Sequence, residues 1–143
     1  MDLMKHPVFR RFWYPTFALS ELEAGPRPFE LLGEKLVLWL VEPGVPAAAH
    51  DRCPHRSARL SGGIKVVNGN IQCGYHGWEF DNSGTCKKIP QLNGAEVPPD
   101  PRNCVKSYHC EARYGYAWVC LEEPLEDIPY IQHSDDPNFR QVF

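Results

Sequence analysis

The sequence lacks any long hydrophobic run. No apolar stretch approaches the roughly 18 consecutive residues that a membrane-spanning helix needs, so no membrane span is predicted. The opening stretch MDLMKHPVFRRFWYPTF contains neither a continuous apolar segment nor a small-residue cleavage site, and this is not typical of a signal peptide. We therefore expect a cytoplasmic protein.

An excess of positive charge is also missing. The chain has 15 Lys and Arg residues against 18 Asp and Glu residues, a formal net charge of -3, which argues against nucleic acid as a partner. Helical periodicity is weak throughout, and at most residues 19–25, LSELEAG, predict one capped turn. At 143 residues the chain is long enough for one domain with a core and too short for two ordinary ones.

Turns and short apolar runs are plentiful. Fourteen prolines and 11 glycines suit short strands better than long helices. The stretch FELLGEKLVLWLVE predicts a hairpin that turns at Gly33-Glu34, and KVVNGNIQC predicts another with Asn68-Gly69 as a type I′ turn. The stretch EFDNSGTCKKI has the same form, and RYGYAWVCL alternates as a strand in a two-sided core would.

These signals predict an all-β fold, a small antiparallel domain at residues 10–124. Residues 1–9 are then an N-terminal extension. Residues 125–143 carry little periodic apolar pattern, so they are predicted to be a tail or linker.

Two cysteine-histidine pairs stand out among the turns. Cys53 and His55 flank a proline, and Cys73 and His76 follow the second predicted hairpin. Without an export signal the six cysteines belong in a reducing compartment, where metal ligation or free thiols are expected rather than disulfides. A thiolate and an imidazole within three residues of each other can bind one centre from one loop.

Three interpretations of the four residues remain open on the residues alone. The first is a structural zinc site with two cysteines and two histidines. The second is a [2Fe–2S] cluster with two cysteines on one iron and two histidines on the other, which suits loops that each supply one of each. The third makes the histidines surface residues and the cysteines core fillers.

The wider motif resembles one known family. C-P-H-R followed by C-x-Y-H-G-W is similar to the Rieske signature, in particular that of the Rieske non-haem iron oxygenases. The stretches FWYPTFALSEL, LSGG and GWEFDNSGTCKKIPQ most resemble the pheophorbide a oxygenase and chlorophyllide a oxygenase group. The resemblance implies a cluster-binding subdomain of two ligand loops, with Cys53 and Cys73 on the inner iron and His55 and His76 on the outer iron.

The resemblance also implies a function. It predicts an electron-transfer domain of a Rieske-type oxygenase, which passes single electrons from a reductase or ferredoxin to mononuclear Fe(II) for O2-dependent oxygenation. In that family the iron lies in a separate catalytic domain of the same or a neighbouring subunit, often in a homotrimer, and plant members are plastid proteins. The alternative is a free-standing Rieske ferredoxin that only carries electrons.

The family's mononuclear iron is held by two histidines and a carboxylate. After residue 124 the sequence offers only His133, followed by Asp135 and Asp136. We therefore expect no oxygen-activating centre, and no catalysis, in these 143 residues.

The resemblance also predicts the redox class. High-potential Rieske proteins carry an extra cysteine in each ligand loop, joined as a disulfide, and hydroxyl groups that donate to sulfur. Ala58 and Tyr75 stand at the two cysteine positions, and Trp78 and Phe80 at the hydroxyl positions. The sequence therefore predicts a low-potential cluster.

Other residues have weaker assignments. Arg56 either places positive charge near the cluster or forms a surface salt bridge. Tyr75 and Trp78 either shield the site from water or pack the core. His50 and His109 belong to no second metal motif. Each is expected either to be exposed or to have its hydrogen bonds satisfied by neighbouring residues. The remaining cysteines, predicted to be buried thiols, are Cys86, Cys104, Cys110 and Cys120.

Overall fold

The computed structural model describes residues 5–62 and 65–142, and residues 1–4 of the predicted extension lie outside this part. It confirms an all-β fold in which strands carry nearly all the regular structure. The ten strands are β1 (Tyr14–Ala18), β2 (Arg27–Leu31), β3 (Glu34–Glu42), β4 (Val45–His50), β5 (Lys65–Val67), β6 (Asn70–Gln72), β7 (Glu79–Phe80), β8 (Cys86–Lys88), β9 (Ser107–Arg113) and β10 (Tyr116–Cys120).

The strands form two antiparallel sheets. The larger sheet has the order β1-β10-β9-β4-β3-β2, and the smaller has the order β5-β6-β7-β8. Four short 3-10 turns complete the regular structure of the described residues, at Pro7–Arg11, Leu19–Leu22, Pro90–Leu92 and Pro101–Asn103. None of the helical segments described is long and apolar enough to cross a membrane.

The three predicted hairpins are confirmed, but the first turns at Leu32-Gly33, one residue earlier than the predicted Gly33-Glu34, because Glu34 is already the first residue of β3. Leu32-Gly33 and Asn68-Gly69 join their strands with both central φ angles positive, at 50° and 83° and at 51° and 80°. These are the angles of a type I′ turn, whose twist matches that of the flanking strands. The third hairpin, β7–β8, is closed by Asp81, whose carboxylate accepts hydrogen bonds from Ser83 N and Thr85 N.

The strand predicted through RYGYAWVCL begins at Tyr116, three residues after the start of that stretch at Arg113. Tyr114 and Gly115 have φ angles of 54° and 76° and form the turn between β9 and β10. The alternation of aromatic residues concealed this turn, because tyrosine is uncommon at a positive φ. From Tyr116 onward the prediction of a strand buried on both sides is confirmed, since Ala117 and Val119 are fully buried and Trp118 is nearly so.

The larger sheet is covered on both faces. On β3, Leu36 and Leu38 face one core, and Val37 and Trp39 face the other, as the two-residue repeat of a strand requires. The core that contains Trp39 lies between the two sheets, and the Trp39 indole N–H donates to the Gly69 carbonyl at 3.0 Å. This contact fixes the β5–β6 hairpin on the larger sheet.

The predicted tail contains no strand or helix among its described residues, but its first part lies on the sheets. Ile128 is buried, with 4% of its surface exposed. The Trp13 indole N–H donates to the Glu126 carbonyl, and Leu125 N donates to the Arg11 carbonyl. The domain boundaries drawn from the sequence stay a prediction.

Candidate metal centre

Each cysteine-histidine pair lies in a loop that follows a strand. The first loop, residues 53–58, comes three residues after β4 ends, and the second loop, residues 73–78, comes directly after β6. The two strands belong to different sheets. The packing of the sheets therefore brings together two loops that are separate in the sequence.

The two loops share one backbone pattern. In each loop the cysteine N–H donates to the carbonyl five residues later, and the cysteine carbonyl accepts from the N–H four residues later. The distances are 2.8 and 2.9 Å in the first loop and 2.7 and 2.9 Å in the second. The fourth residue after each cysteine has a positive φ, 59° at Ser57 and 76° at Gly77.

The two cysteine side chains meet at the inner side of the loops. Cys53 and Cys73 are each 2% exposed and belong to the core between the sheets. Burial raises the pKa of the Cys53 thiol to about 11, and the neighbouring Cys73 adds to the rise. Hydrogen bonds from the backbone N–H groups of His55 and Arg56 partly oppose the rise. A cation bound between the two sulfurs would offset the cost of burying their thiolates.

The two histidine rings meet farther out. The centroids of His55 and His76 are 4.8 Å apart. The Nδ1 atom of His76 is buried without a hydrogen-bond partner among the described residues. A buried polar nitrogen without a partner is costly unless a ligand occupies its lone pair. Desolvation, then the charges of His76 and Arg56, lower the pKa of His55.

The two cysteine side chains therefore face each other, and so do the two histidine rings. In the described ranges no three His, Cys, Asp or Glu side chains group closely enough to bind one ion. Two thiols on the inner side and two imidazoles on the outer side match the ligand set of a Rieske [2Fe–2S] cluster. The residues fit this group, and their assignment as its ligands, Cys53, His55, Cys73 and His76, stays a prediction.

The aromatic neighbours differ from each other. Trp78 is 8% exposed and its ring stacks on that of His55, with centroids 4.6 Å apart and an interplanar angle of 9°. Tyr75 is 63% exposed and contacts the His76 ring at a centroid distance of 4.0 Å. Trp78 thus covers the first loop's imidazole, and Tyr75 borders the exposed side of the second.

Sequence reasoning missed the group that closes the first loop. Asp51 is a buried carboxylate, and it accepts hydrogen bonds from both the backbone N–H and the hydroxyl of Ser61. These bonds join the two ends of the segment that carries the loop. An Asp placed just after a strand was the available signal, since short acidic side chains often bind nearby backbone N–H groups.

The other cysteines were only partly predicted. Cys86 and Cys120 are buried, Cys110 is half-buried and Cys104 is exposed. Burial still raises the pKa of the Cys110 thiol to about 12, so the prediction of four buried thiols is wrong for Cys104. Cys104 follows the 3-10 turn at Pro101–Asn103 on an outer loop, where no second layer covers it. Cys110 lies on β9, which is less buried than its partner β10.

The remaining histidines are outside the loops. His50 is half-buried at the end of β4. His109 is exposed and lies 3.6 Å from the Glu123 carboxylate. His133 is exposed and stacks on Phe139 at a centroid distance of 4.3 Å.

The comparison with family models gives the class. Residues 12–109 match the model of the Rieske [2Fe-2S] domain, which is more than half of the chain. The chain belongs to the Rieske [2Fe–2S] domain family, and the resemblance stated from the sequence is confirmed.

Named relatives narrow the class. The chain is 38% identical over 144 residues to methylxanthine N3-demethylase NdmB of Pseudomonas putida, covering 93% of this chain and 40% of the relative. It is 48% identical over 122 residues to pheophorbide a oxygenase of Oryza sativa subsp. japonica, covering 81% of this chain and 23% of the relative. The solved structure of Pseudomonas putida CBB5 NdmA matches with a TM-score of 0.82 at 36% identity, over 92% of this chain and 41% of that chain.

The chain thus spans about two fifths of the length of the demethylases. It matches the pheophorbide a oxygenase group, as the sequence predicted. It also matches N-demethylases, which were not predicted.

Proposed function

We propose that this chain is the electron-transfer domain of a Rieske-type oxygenase. The observation that carries the proposal is the meeting of two buried thiols and two outward imidazoles at the junction of two sheets. The oxygenases and demethylases among the relatives support it. The oxygenation reaction itself would take place in a separate catalytic domain of the whole protein.

The roles of the residues follow from their positions. Cys53 and Cys73 would hold the inner iron and His55 and His76 the outer iron, and the bound cluster supplies reversible uptake of one electron. The core around the cysteines and the stacked Trp78 ring exclude water from the inner side. The half-buried imidazoles form the exposed side, so electrons enter and leave there.

The partners follow from this arrangement. A reductase or ferredoxin would deliver electrons at the imidazole side. The acceptor would be mononuclear Fe(II) in a catalytic domain of the same or a neighbouring subunit, in a homotrimer if the full-length protein assembles as the family does.

Metal and sulfide analysis tests the proposal. We expect a red-brown protein with about two irons and two acid-labile sulfides per chain, and a Rieske-type EPR signal after reduction. A colourless protein with one tightly bound zinc per chain, prepared anaerobically, would refute it.

The redox potential tests the low-potential class. The side chains at the two hydroxyl positions of the high-potential class are Trp78 and Phe80, both buried and without a hydroxyl. Fewer donors to sulfur stabilise the reduced cluster less, so we expect about -150 mV, falling further at alkaline pH as the ligand imidazoles lose protons. Protein-film voltammetry across pH measures this, and a value well above zero at neutral pH contradicts the oxygenase-type assignment.

A further inference from the structure

The charges of the chain are distributed unevenly around the candidate centre. Residues 52–78, which contain both loops, carry four Lys or Arg residues and no Asp or Glu. The rest of the chain carries the other 11 Lys and Arg residues and all 18 Asp and Glu residues. The stretch that contains both loops therefore carries a net positive charge in a chain whose net charge is negative.

Three exposed arginines dominate this region, and we call them the arginine rim: Arg52, Arg56 and Arg59. Arg52 and Arg56 flank the first cysteine-histidine pair in sequence, and the charge of Arg56 acts on the His55 ring. Arg52 donates to the Ser57 hydroxyl at 2.8 Å, which holds its guanidinium over the first loop.

The rim arginines have no carboxylate partner within residues 5–62 and 65–142. Four arginines elsewhere do form ion pairs with carboxylates, namely Arg10, Arg27, Arg102 and Arg113. Asp51 is the nearest acidic residue in sequence, and it is buried and bonded to Ser61. Glu30, Lys35 and Asp51 line one surface hollow with Arg59, so Arg59 has charges of both signs beside it, and Arg52 and Arg56 carry most of the rim's unpaired positive charge.

The second loop adds an uncharged border to the rim. It contains no charged residue, and Tyr75 projects with 63% of its surface exposed beside the His76 ring. Arginine and tyrosine are the residues enriched at the centres of protein–protein interfaces. Three exposed arginines in or beside the first loop and an exposed tyrosine on the second suit an acidic protein surface better than the extended phosphate backbone of a nucleic acid.

We propose that the arginine rim, with Tyr75, is the docking surface for an acidic electron-donor protein. The inference rests on the proposed function and adds the partner's chemistry and the side from which it arrives. Opposite charges would speed the encounter and orient the donor toward the imidazole edges. Association should therefore weaken as salt screens the charges.

Small redox probes of opposite charge measure the field at the rim. The full-length protein, reduced anaerobically, is oxidised in a stopped-flow instrument by ferricyanide or by the tris(phenanthroline)cobalt(III) cation. Each reaction moves one electron from the protein to Fe(III) or Co(III). We expect the ferricyanide rate to fall with ionic strength, because ferricyanide is an anion that the positive charge of the rim attracts and that salt screens. The triple variant Arg52→Gln, Arg56→Gln, Arg59→Gln should lower the ferricyanide rate at low salt by about tenfold or more.

A matched variant separates local charge from net charge. Lys87→Gln, Lys106→Gln and Arg140→Gln together remove the same charge from exposed positions outside both loops. This control should leave the ferricyanide rate within about twofold of the parent, because charges farther away than a Debye length are screened. Equal effects of the two triple variants, or a ferricyanide rate that rises with salt in the parent, would overturn the proposal.

A binding measurement needs no electron transfer. Titration calorimetry with an acidic plant-type ferredoxin as the probe should show binding at low salt that the rim variant loses and the control keeps. If both variants keep that binding, the proposal is overturned. It is also overturned if the parent protein binds phosphatidylserine vesicles and the rim variant does not. Iron and sulfide content is measured in all samples, because a protein without a cluster refutes the proposed function while the binding result still decides the docking surface.

Discussion

The first loop, residues 53–58, and the second loop, residues 73–78, make the same two backbone hydrogen bonds around their cysteines, yet different neighbours hold them. A buried carboxylate closes the segment that carries the first loop. The second loop is packed against Pro90, and the Gln91 side chain donates to the His76 carbonyl. The shared backbone turn is what placing a cysteine and a histidine requires. The contacts around the turn differ between the loops and depend on the sequence of each.

The side chains of the loops divide the surface accordingly. The first loop brings charge to the exterior through Arg56, and Arg52 lies directly before it. The second loop brings aromatic surface, with Trp78 facing inward over His55 and Tyr75 facing outward. One loop is thus suited to attract a charged partner and the other to exclude water.

The largest expected effect tests whether the loops are equivalent as ligands. Cys53→Ser and Cys73→Ser should each abolish the cluster's visible spectrum and lower the melting temperature strongly, because cluster binding orders both loops. Cys110→Ser is the control and should keep the cluster. A normal spectrum in Cys73→Ser would contradict the shared ligand assignment.

Removal of the carboxylate should affect the first loop alone. Asp51→Ala removes the acceptor of two hydrogen bonds and should lower the free energy of unfolding by about 2–3 kcal/mol, with partial loss of iron. Asp81→Ala is matched, since Asp81 likewise accepts hydrogen bonds that close a turn, but it lies outside both loops. Chemical denaturation and iron analysis should show that only Asp51→Ala lowers iron content, and equal iron loss in the two variants would contradict this role.

A methyl group at the turn of the second loop should cost somewhat less. Gly77 has a φ of 76°, and an added Cβ would lie 3.1 Å from Cγ of Pro90. Gly77→Ala should therefore lower the free energy of unfolding by about 1–2 kcal/mol and reduce iron content. Gly33→Ala has a similar φ of 83° with nothing within 4 Å of its Cβ, and it should destabilise the protein while keeping iron content unchanged.

The equivalent position of the first loop should be nearly neutral to glycine. Ser57 has a φ of 59°, so Ser57→Gly relieves backbone strain while it loses the exposed hydrogen bond from Arg52. These effects oppose each other, and we expect a change within about 0.5 kcal/mol in thermal or chemical unfolding. Loss of the cluster in Ser57→Gly would show that the hydroxyl, rather than the turn, positions this loop.

The sequence predicted the features that depend on short stretches of chain. Asn68-Gly69 predicted its turn because glycine and asparagine tolerate positive φ. Leu32, Ser57 and Tyr114 adopt positive φ without such a signal, and for that reason the turn at Tyr114 was missed. The bond between Asp51 and Ser61 depends on how a ten-residue segment folds back, which the residue types alone do not specify.

The ligand pairs were predictable as pairs because each occupies a few consecutive residues. How the pairs face each other was implied only by the family resemblance, since it depends on the packing of two sheets. The exposure of Cys104 was missed because its neighbours in sequence do not show whether another layer covers it.

The contacts between Arg10 and Glu122 have a consequence for how this domain can be reused. Arg10 forms an ion pair with Glu122, and its carbonyl accepts from Glu122 N at 3.0 Å, so the chain enters and leaves the two sheets at the same place. A unit whose entry and exit points are adjacent can be inserted into a host chain, or exchanged between hosts, with little strain on either. This geometry makes the domain a transplantable module. Chimaeras joined at Arg10 and Glu122 are the natural way to supply one catalytic domain with a Rieske domain of different redox potential.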